Sequence, residues 1–265
     1  MGESDAEQDM VLVEGRTETI RIVVGVVLAA LYAVLALLPM SGFVGAGGVT
    51  SLLSFAIIIA PLFGLLLGPT RGFVFGLIAG VLAYIVTLPF GTSVYIWLPP
   101  TILGPAVAGL FTGLAMKKTT NIKGVRLPGP ILTALFLAVI ILLYEIPNYS
   151  AWWFMTPYLL ALIIVLLLQV RSIEFNPDRQ GPLRYLQLLP FTFIGAMLDH
   201  SMMAMGSVYL LMLDPAIFGF VIFPLVLLER GLAAIVGAVI ASVILGAFRN
   251  AVWIEAQVSS AEPKA

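Results

Sequence analysis

The sequence predicts an all-α protein, a polytopic membrane helix bundle of about eight transmembrane helices with both termini in the cytoplasm. Charged residues make up only 10% of the 265 residues, where a soluble domain carries about 25%. Hydrophobic residues make up 61%, against roughly 45–50% in a soluble domain. The 13 Lys and Arg residues also fall almost entirely in alternate loops. Together these features exclude a soluble enzyme, a disordered chain and a nucleic-acid-binding protein.

Eight apolar stretches approach or exceed the length of about 20 residues that a helix needs to span a bilayer. None shows the short alternating segments of a membrane β-barrel. The last would measure about 48 Å as one helix, which exceeds a hydrocarbon core of about 30 Å. We therefore expect Pro224 to break it, with the span starting near Leu225. The predicted helices cover residues 20–40, 50–67, 70–88, 95–116, 130–146, 151–170, 187–212 and 217–248.

The positions of the basic residues predict the orientation. With eight helices, all but Arg230 lie on one side, and the positive-inside rule assigns that side to the cytoplasm. The opposite helix ends are rich in Tyr and Trp, which predicts an aromatic belt at the outer interface. The belt residues are Tyr95, Trp97, Tyr144, Tyr149, Trp152 and Trp153. The cytoplasmic basic residues are Arg16, Arg21, Arg71, Lys117, Lys118, Lys123, Arg126, Arg171, Arg179, Arg184, Arg249 and Lys264.

The orientation divides the chain into three regions. Residues 1–18 are acidic and are expected to form a solvated cytoplasmic tail, and residues 251–265 form a second one. The transmembrane bundle occupies residues 19–250 between them.

Small residues mark surfaces where helices pack closely, since packing joins helices in lipid. Glycine recurs every fourth residue from Gly64 to Gly80, and the turn at Pro69–Arg71 divides this series between two helices. We expect it to pack within the chain. The first helix carries a second smooth stripe, for which packing within the chain is the default and docking of a second protein the alternative. It comprises Gly25, Ala29, Ala33 and Ala36.

Three charged residues lie clearly inside predicted spans, namely Asp199, Glu229 and Arg230, and the single histidine, His200, follows Asp199. Charged residues in a span cost about 2.5–3.5 kcal/mol to insert and are usually paired or functional. One interpretation is a structural Asp199–Arg230 pair that joins two helices. The other is a water-accessible cavity that binds a zwitterion, an anion or a neutral polar ring. Both can hold.

Motifs for catalysis or nucleotide binding are absent. The sequence contains no HExxH, no GxSxG and no Walker A pattern. It contains no Cys, which excludes disulfides and thiolate metal sites. One His and two embedded carboxylates are few ligands for a metal. We therefore expect no catalytic residue, no metal and no cofactor, and we favour transport or binding over an enzyme.

The sequence resembles the substrate-binding S component of energy-coupling factor (ECF) transporters in helices 1–4 and 7–8. The resemblance rests on the Ala-rich run 29–39, the junction 68–73, and the motifs at 195–200 and 224–230. It implies capture of a vitamin or similar micronutrient from outside, with a transmembrane T component and two ATPase subunits driving uptake. Family members usually have about six helices, so residues 130–185 look like an inserted helix pair followed by a cytoplasmic loop.

The resemblance also implies roles for individual residues. Ala29 and Ala33 match the family's Ala-x-x-x-Ala contact to the T component. Asp199, His200, Glu229 and Arg230 occupy positions where the family binds substrate. The glycine-rich stretch Ser41–Val49 would form a lid.

Three other functions remain open on the residues alone. A self-sufficient secondary transporter would cycle a proton on Asp199 or Glu229, and a permanently paired Asp199 would count against it. An intramembrane enzyme acting on a lipid would need a cluster of carboxylates at the cytoplasmic face. A structural membrane protein would use the charges only to join helices.

Overall fold

The computed structural model describes residues 3–44, 50–90, 94–122, 124–173, 176 and 181–247. Two small antiparallel hairpins, β1–β2 and β3–β4, accompany a bundle of helices. Short 3₁₀ segments cover 55–58, 88–90, 99–103 and 149–155, and a π-helical turn covers 218–222. The elements are α1 (Glu3–Leu35), β1 (Pro39–Val44), β2 (Thr50–Ser54), α2 (Ala60–Thr87), α3 (Val94–Trp97), α4 (Gly104–Ala115), β3 (Thr120–Ile122), β4 (Val125–Leu127), α5 (Gly129–Asn148), α6 (Thr156–Val170), α7 (Pro182–Tyr209), α8 (Pro215–Ile217) and α9 (Phe223–Ala247).

Five helical segments of the described chain are long and apolar enough to cross a membrane, and Pro99–Ala115 is a shorter apolar helix. The five are Glu18–Leu35, Ala60–Phe90, Gly129–Val170, Pro182–Tyr209 and Pro215–Ala247. Many of their large apolar side chains face outward, including Val26 (55% exposed) and Leu135 (60%). An apolar exterior of this kind suits lipid. The prediction of a mainly helical bundle with several membrane-spanning helices is therefore confirmed.

The second predicted helix begins too early. Thr50–Ser54, expected to be helical, instead pairs with Pro39–Val44 in an antiparallel hairpin. Pro39 disfavours helical backbone at the residue before it, and α1 has ended at Leu35. The predicted lid, Ser41–Val49, therefore starts as a strand, and its residues 45–49 lie outside the described residues.

Gly68 divides α2 into two helical arms. Its backbone angles, φ +76° and ψ −177°, are not helical, and they suit a residue without a Cβ. A Cβ on Gly72 would lie 2.8 Å from the carbonyl oxygen of Phe63. The two residues would be about 13 Å apart along a straight helix. The arms 60–67 and 69–87 therefore fold back on each other at the turn that the sequence predicted.

Glycines bring α2 and α4 into backbone contact. A Cβ on Gly64 would lie 2.5 Å from the carbonyl oxygen of Gly109, and a Cβ on Gly76 would meet the carbonyl of Pro105. Without side chains at these positions the helices approach until their backbones touch. The prediction that the glycine series packs within the chain is thus confirmed for all of its members except Gly68, where a Cβ would meet nothing within 4 Å.

The most enclosed helix is α7. In its most apolar 18-residue window, 72% of the residues are buried, against 28–44% in the other four segments. It begins at Pro182, five positions before the predicted start at 187, so Arg184 lies in the helix and not in a loop. The Arg184 side chain is buried, and its Nη1 donates to the carbonyl oxygen of Ser242 in α9 at 3.4 Å.

Polar contacts connect neighbouring segments at one end of the bundle. The Nη2 atom of Arg71 donates to Oε2 of Glu18 at 2.7 Å, and Lys118 Nζ donates to Ser172 Oγ at 2.9 Å. At the opposite end, Trp153 Nε1 donates to the carbonyl oxygen of Gly219 at 3.0 Å. We call the first of these the basic end, since it carries Arg71, Lys117, Lys118, Arg171 and Arg184.

Three other predicted boundaries differ from the structure. The first helix starts at Glu3, so most of the expected tail 1–18 is helical. The predicted helix 95–116 is divided, because α3 and a 3₁₀ segment precede α4. The last helix is irregular before Pro224, in the π-helical turn, and Pro224 occupies the first turn of α9, where its missing N–H is tolerated. The tail 251–265 lies outside the described residues.

Candidate functional site

A buried ion pair joins the two central helices of the site. Arg230 Nη1 in α9 donates to Asp199 Oδ2 in α7 at 2.8 Å. The two side chains are 2% and 6% exposed. Nearby, Thr192 Oγ1 of α7 donates to the carbonyl oxygen of Ala234 in α9 at 2.8 Å. The predicted Asp199–Arg230 pair is confirmed.

His200 faces a different neighbour. Its Nδ1 atom lies 2.6 Å from the hydroxyl of Tyr158 in α6, in a hydrogen bond between two buried side chains. Consecutive residues of a helix point about 100° apart, so Asp199 can face α9 while His200 faces α6. The helix pair α5–α6, which the resemblance treats as an insertion, therefore contributes Tyr158 to the site.

Two tyrosine hydroxyls form a further buried pair beside the charges. The hydroxyl of Tyr95 donates to that of Tyr32 in α1 at 2.9 Å. A side-chain hydrogen bond also joins Tyr95 to Ser54, at the base of the β1–β2 hairpin. The charges of Asp199 and Arg230 act on both hydroxyls. These contacts connect the hairpin and α1 to the ion pair.

The first residue of α4 covers the carboxylate of Asp199. A Cβ on Gly104 would lie 2.6 Å from Asp199 Oδ1, so the carboxylate occupies space that any other residue at 104 would need. Thr101, one turn earlier in the 3₁₀ segment 99–103, is also buried.

Four polar atoms of this cluster make no hydrogen bond within the described part of the chain. They are Asp199 Oδ1, Arg230 Nε, His200 Nε2 and Thr101 Oγ1. A buried polar atom left without a hydrogen bond costs about 1–3 kcal/mol, so native proteins satisfy nearly all of them. These atoms are hydrogen-bonding groups that the described chain leaves unused at this place. We call this set of four residues, with Tyr32, Tyr95 and Tyr158, the polar cluster.

All four predicted substrate-binding residues are shielded from solvent. Asp199, His200, Glu229 and Arg230 are 5%, 1%, 4% and 2% exposed. The water-accessible cavity expected at these groups is therefore not open in this structure. Glu229 lies next to Arg230 in α9 and, by the same helical geometry, points about 100° away from it.

Ala29 and Ala33, the predicted contacts to a T component, are 2% and 6% exposed. Gly25 belongs to the same stripe, and a Cβ there would lie 2.6 Å from the ring of Phe75 in α2. The stripe packs within the chain, so a partner could reach these two side chains only if α1 moved away from its neighbours.

The predicted aromatic belt is only partly interfacial. Tyr149 (75% exposed) and Trp152 (57%) face outward, whereas Tyr144 is fully buried. The Tyr144 ring lies 5.0 Å from the ring of Phe154 and 5.4 Å from that of Phe218, between centroids. Tyr95, also expected in the belt, belongs to the polar cluster instead.

A separate groove of about 470 Å³ lies at the end of the bundle opposite the basic end. The groove contains none of the predicted site residues and is lined by Pro147, Asn148, Val208, Tyr209, Met212, Leu213, Asp214 and Pro215.

Within the described residues, no group of three or more His, Cys, Asp or Glu could hold a metal ion.

The sequence alone does not single out Tyr32, Tyr158 or Thr101 as site residues. Tyrosine and threonine in apolar spans are common and carry no charge, so neither type is conspicuous in a membrane sequence. Their helices are far apart in the chain, and only the fold brings them to Asp199.

Comparison with known proteins identifies no relative of this chain: no protein-family model, curated protein or solved structure matches it.

Proposed function

We propose that the protein is a membrane-embedded capture subunit that binds a small polar nutrient, of the vitamin class, for uptake into the cell. The observation that supports this is the polar cluster, in which an ion pair, three tyrosine hydroxyls and a histidine are buried among apolar helices. Polar groups are expensive in a membrane interior and are typical of substrate sites there. Three atoms of these groups, and the hydroxyl of Thr101, make no hydrogen bond within the described part of the chain.

In this proposal the chain crosses the membrane eight times with both termini in the cytoplasm. The gathering of Arg71, Lys118 and Arg184 at one end of the bundle supports this orientation, because basic loops stay on the cytoplasmic side. The short arm 60–67 of α2 then forms the second crossing together with the segment before it. The polar cluster would lie toward the outer face, below the β1–β2 hairpin.

The captured nutrient would be released inside by a complex with a T component and two ATPase subunits. This part of the proposal rests on the resemblance to S components and on the absence of a Walker A motif in the sequence. The exposed face of α1, which includes Val23, Val26 and Val27, is a candidate contact for such a partner, because Ala29 and Ala33 are covered.

A secondary transporter is the second candidate. Its simplest form would cycle a proton on Asp199, but that carboxylate is held by Arg230 at 2.8 Å, and a proton on it would weaken this contact. The pairing therefore supports capture over proton-coupled transport by Asp199. A purely structural role predicts the same pair but no bound solute.

The direct test is mass spectrometry of small molecules that remain bound to the protein after purification. We expect one polar nutrient in the wild type and its loss in Tyr158→Phe and Thr101→Val, each of which removes one hydroxyl without changing a charge. Asp214→Asn, in the loop before α8, is the matched control and should retain the solute. If correctly folded wild-type protein carries no solute, the structural role is favoured instead.

The association with a T component and two ATPase subunits can be tested separately. The tagged protein, purified from its native membrane, should bring down a transmembrane partner and a pair of ATPases. Val26→Trp on the exposed face of α1 should weaken that association, whereas Leu135→Trp on the exposed face of α5 should not. An unchanged association in Val26→Trp would place the contact elsewhere, and the absence of any ATPase would contradict the ECF assignment.

A further inference from the structure

We propose that the groove opposite the basic end is a second binding site, which takes an organic ammonium ion with a small apolar body. It is separate from the polar cluster and would exist whether or not that cluster captures a nutrient. Its volume of about 470 Å³ falls in the range of about 300–1,000 Å³ that small-molecule sites occupy. Three features of its lining define the ligand, namely one carboxylate, one aromatic ring and one buried carboxamide.

The charge of the groove selects a cation. Among the described residues that line it, Asp214 alone is charged. The Oδ1 atom of Asp214 accepts from the backbone N–H of Ala216 at 2.7 Å, which holds the carboxylate at the start of α8. The two stretches that supply the groove, 143–157 and 208–224, contain no Lys, Arg or His, and Glu145 is their one other charged residue. Their charge is therefore purely negative, which attracts cations and repels anions.

An aromatic ring in the same groove favours an organic cation. The hydroxyl of Tyr209 donates to the carbonyl oxygen of Leu143 in α5 at 2.7 Å, so the side chain is anchored at both ends. Tyr209 is nevertheless 46% exposed. Ammonium ions bind over the faces of such rings. Ca²⁺ and Mg²⁺ instead take six or more oxygen ligands, and one carboxylate supplies too few of them.

A buried carboxamide favours an ammonium group that carries hydrogens. Asn148, at the end of α5, lines the groove and is only 3% exposed. Its Nδ2 atom donates to the carbonyl oxygen of Tyr144 at 3.5 Å. The carboxamide oxygen is thus the atom of this side chain that can accept from a ligand N–H. A primary ammonium group has three N–H donors, enough for both this oxygen and the carboxylate of Asp214.

The rest of the lining is apolar and suits a hydrocarbon group next to the ammonium. Met212 is 81% exposed, and its flexible thioether chain can adapt to the shape of an apolar ligand. A short primary amine therefore matches the groove at both its polar and its apolar parts. The apolar lining comprises Pro147, Val208, Met212, Leu213 and Pro215.

Four phenylethyl compounds of similar size test this chemistry. They are 2-phenylethylamine, which is a primary ammonium ion at neutral pH; its trimethylammonium analogue, which keeps the charge but has no N–H; 2-phenylethanol, which is neutral; and 3-phenylpropanoate, an anion. Saturation-transfer NMR on the full chain in a non-ionic detergent, with the signal of empty micelles subtracted, measures binding at millimolar concentration. We expect the amine to give a signal several-fold above those of the alcohol and the anion, with the trimethylammonium analogue between them.

Variants then assign the contacts. Asp214→Asn removes the charge and keeps a residue that caps a helix start equally well, so the amine signal should fall several-fold in folded protein. Tyr209→Leu should lower the signal, whereas Tyr209→Phe keeps the ring and should retain most of it. Glu145→Gln is the matched control, because Glu145 carries the other charge of these stretches but does not line the groove. It should leave the signal unchanged.

Three outcomes would overturn the proposal. They are an equal loss in Glu145→Gln and Asp214→Asn, an alcohol or anion signal as strong as that of the amine, and no amine signal from folded wild type. The test is independent of the polar cluster. Asp214→Asn should lose amine binding and keep any co-purified nutrient, whereas Tyr158→Phe should do the reverse.

A free amine and the ethanolamine headgroup of a lipid share this ammonium chemistry, and competition distinguishes them. Short-chain phosphatidylethanolamine is added to the amine-bound sample, with short-chain phosphatidylglycerol as the control. Displacement of the amine by phosphatidylethanolamine alone would identify the ligand as a headgroup, and retention of the amine signal with both lipids would identify it as a free amine. Displacement by both lipids equally would show that the groove binds any amphiphile, which would overturn the proposal.

Discussion

Two arginine–carboxylate pairs of nearly equal length lie in very different surroundings. Arg71 and Glu18 are 2.7 Å apart at the basic end, with side chains 30% and 45% exposed. Arg230 and Asp199 are 2.8 Å apart within the bundle, with side chains 2% and 6% exposed. The chemistry and the distance are alike, so burial is the variable that separates them.

The length of an ion pair therefore says little about how much the pair contributes to stability. Exposed pairs contribute about 0–1 kcal/mol, because water and salt screen them and long side chains lose entropy. Breaking a buried pair costs about 3–5 kcal/mol, because a charge is left without a partner where water cannot reach it. Under the proposed function, the unmet hydrogen-bonding atoms beside the buried pair would bind the ligand.

The largest effect is expected from Asp199→Ala. It leaves the guanidinium of Arg230 buried and uncompensated, so the free energy of unfolding should fall by about 3–5 kcal/mol. Reversible denaturation in mixed micelles measures this change. A loss below about 1 kcal/mol would mean that the buried pair behaves like the exposed one.

The double variant Asp199→Leu with Arg230→Met separates stability from binding. Replacing a buried pair by apolar residues of similar volume is often neutral or stabilising. We expect near wild-type stability together with complete loss of any co-purified solute. Retention of the solute in this variant would remove the ion pair from the binding site.

Gly104→Ala perturbs the buried pair without removing a charge. The added Cβ would lie 2.6 Å from Asp199 Oδ1, so the carboxylate or the start of α4 must shift. Overpacking of this kind typically costs about 1–3 kcal/mol. Gly231→Ala is the matched control, because a Cβ at Gly231 meets nothing within 4 Å. Equal unfolding midpoints for the two variants would show that Asp199 tolerates the displacement.

Tyr158→Phe tests the neutral part of the polar cluster. It removes the 2.6 Å hydrogen bond to His200 Nδ1 and leaves every charge in place. A lost hydrogen bond of this type costs about 0.5–1.5 kcal/mol. The same denaturation assay checks this value, and ¹⁵N chemical shifts of the His200 ring should move. Unchanged ring shifts would contradict the contact.

The fold was predictable from the sequence to the extent that it depends on apolar length and on glycine spacing. The apolar stretches gave most of the helices, and the glycine series gave the close contact of α2 with α4. The β1–β2 hairpin was missed, because an apolar strand and an apolar helix cannot be told apart by hydropathy alone. The early start of α7 was missed, because Arg184 suggested a loop.

The site was predictable only where it is charged. Asp199 and Arg230 stand out in apolar spans, and their pairing followed from the cost of an isolated charge. Tyr158 and Thr101 could not be found this way, because their contribution depends on which helices become neighbours. Ala29 and Ala33 were recognised in the sequence, but their partner was not. A stripe of small residues predicts a close helix contact without specifying which helix makes it.

Glu18→Gln should have the smallest effect and completes the comparison. The amide keeps the shape of the side chain but removes the charge that faces Arg71 across 2.7 Å. Because both side chains are partly exposed, we expect the free energy of unfolding to change by about 0–1 kcal/mol, with a smaller change at high salt. Denaturation of wild type and variant at low and high ionic strength measures both quantities. A salt-insensitive loss of several kcal/mol would show that Glu18 is as isolated from solvent as Asp199, and the contrast between the two pairs would then not depend on burial.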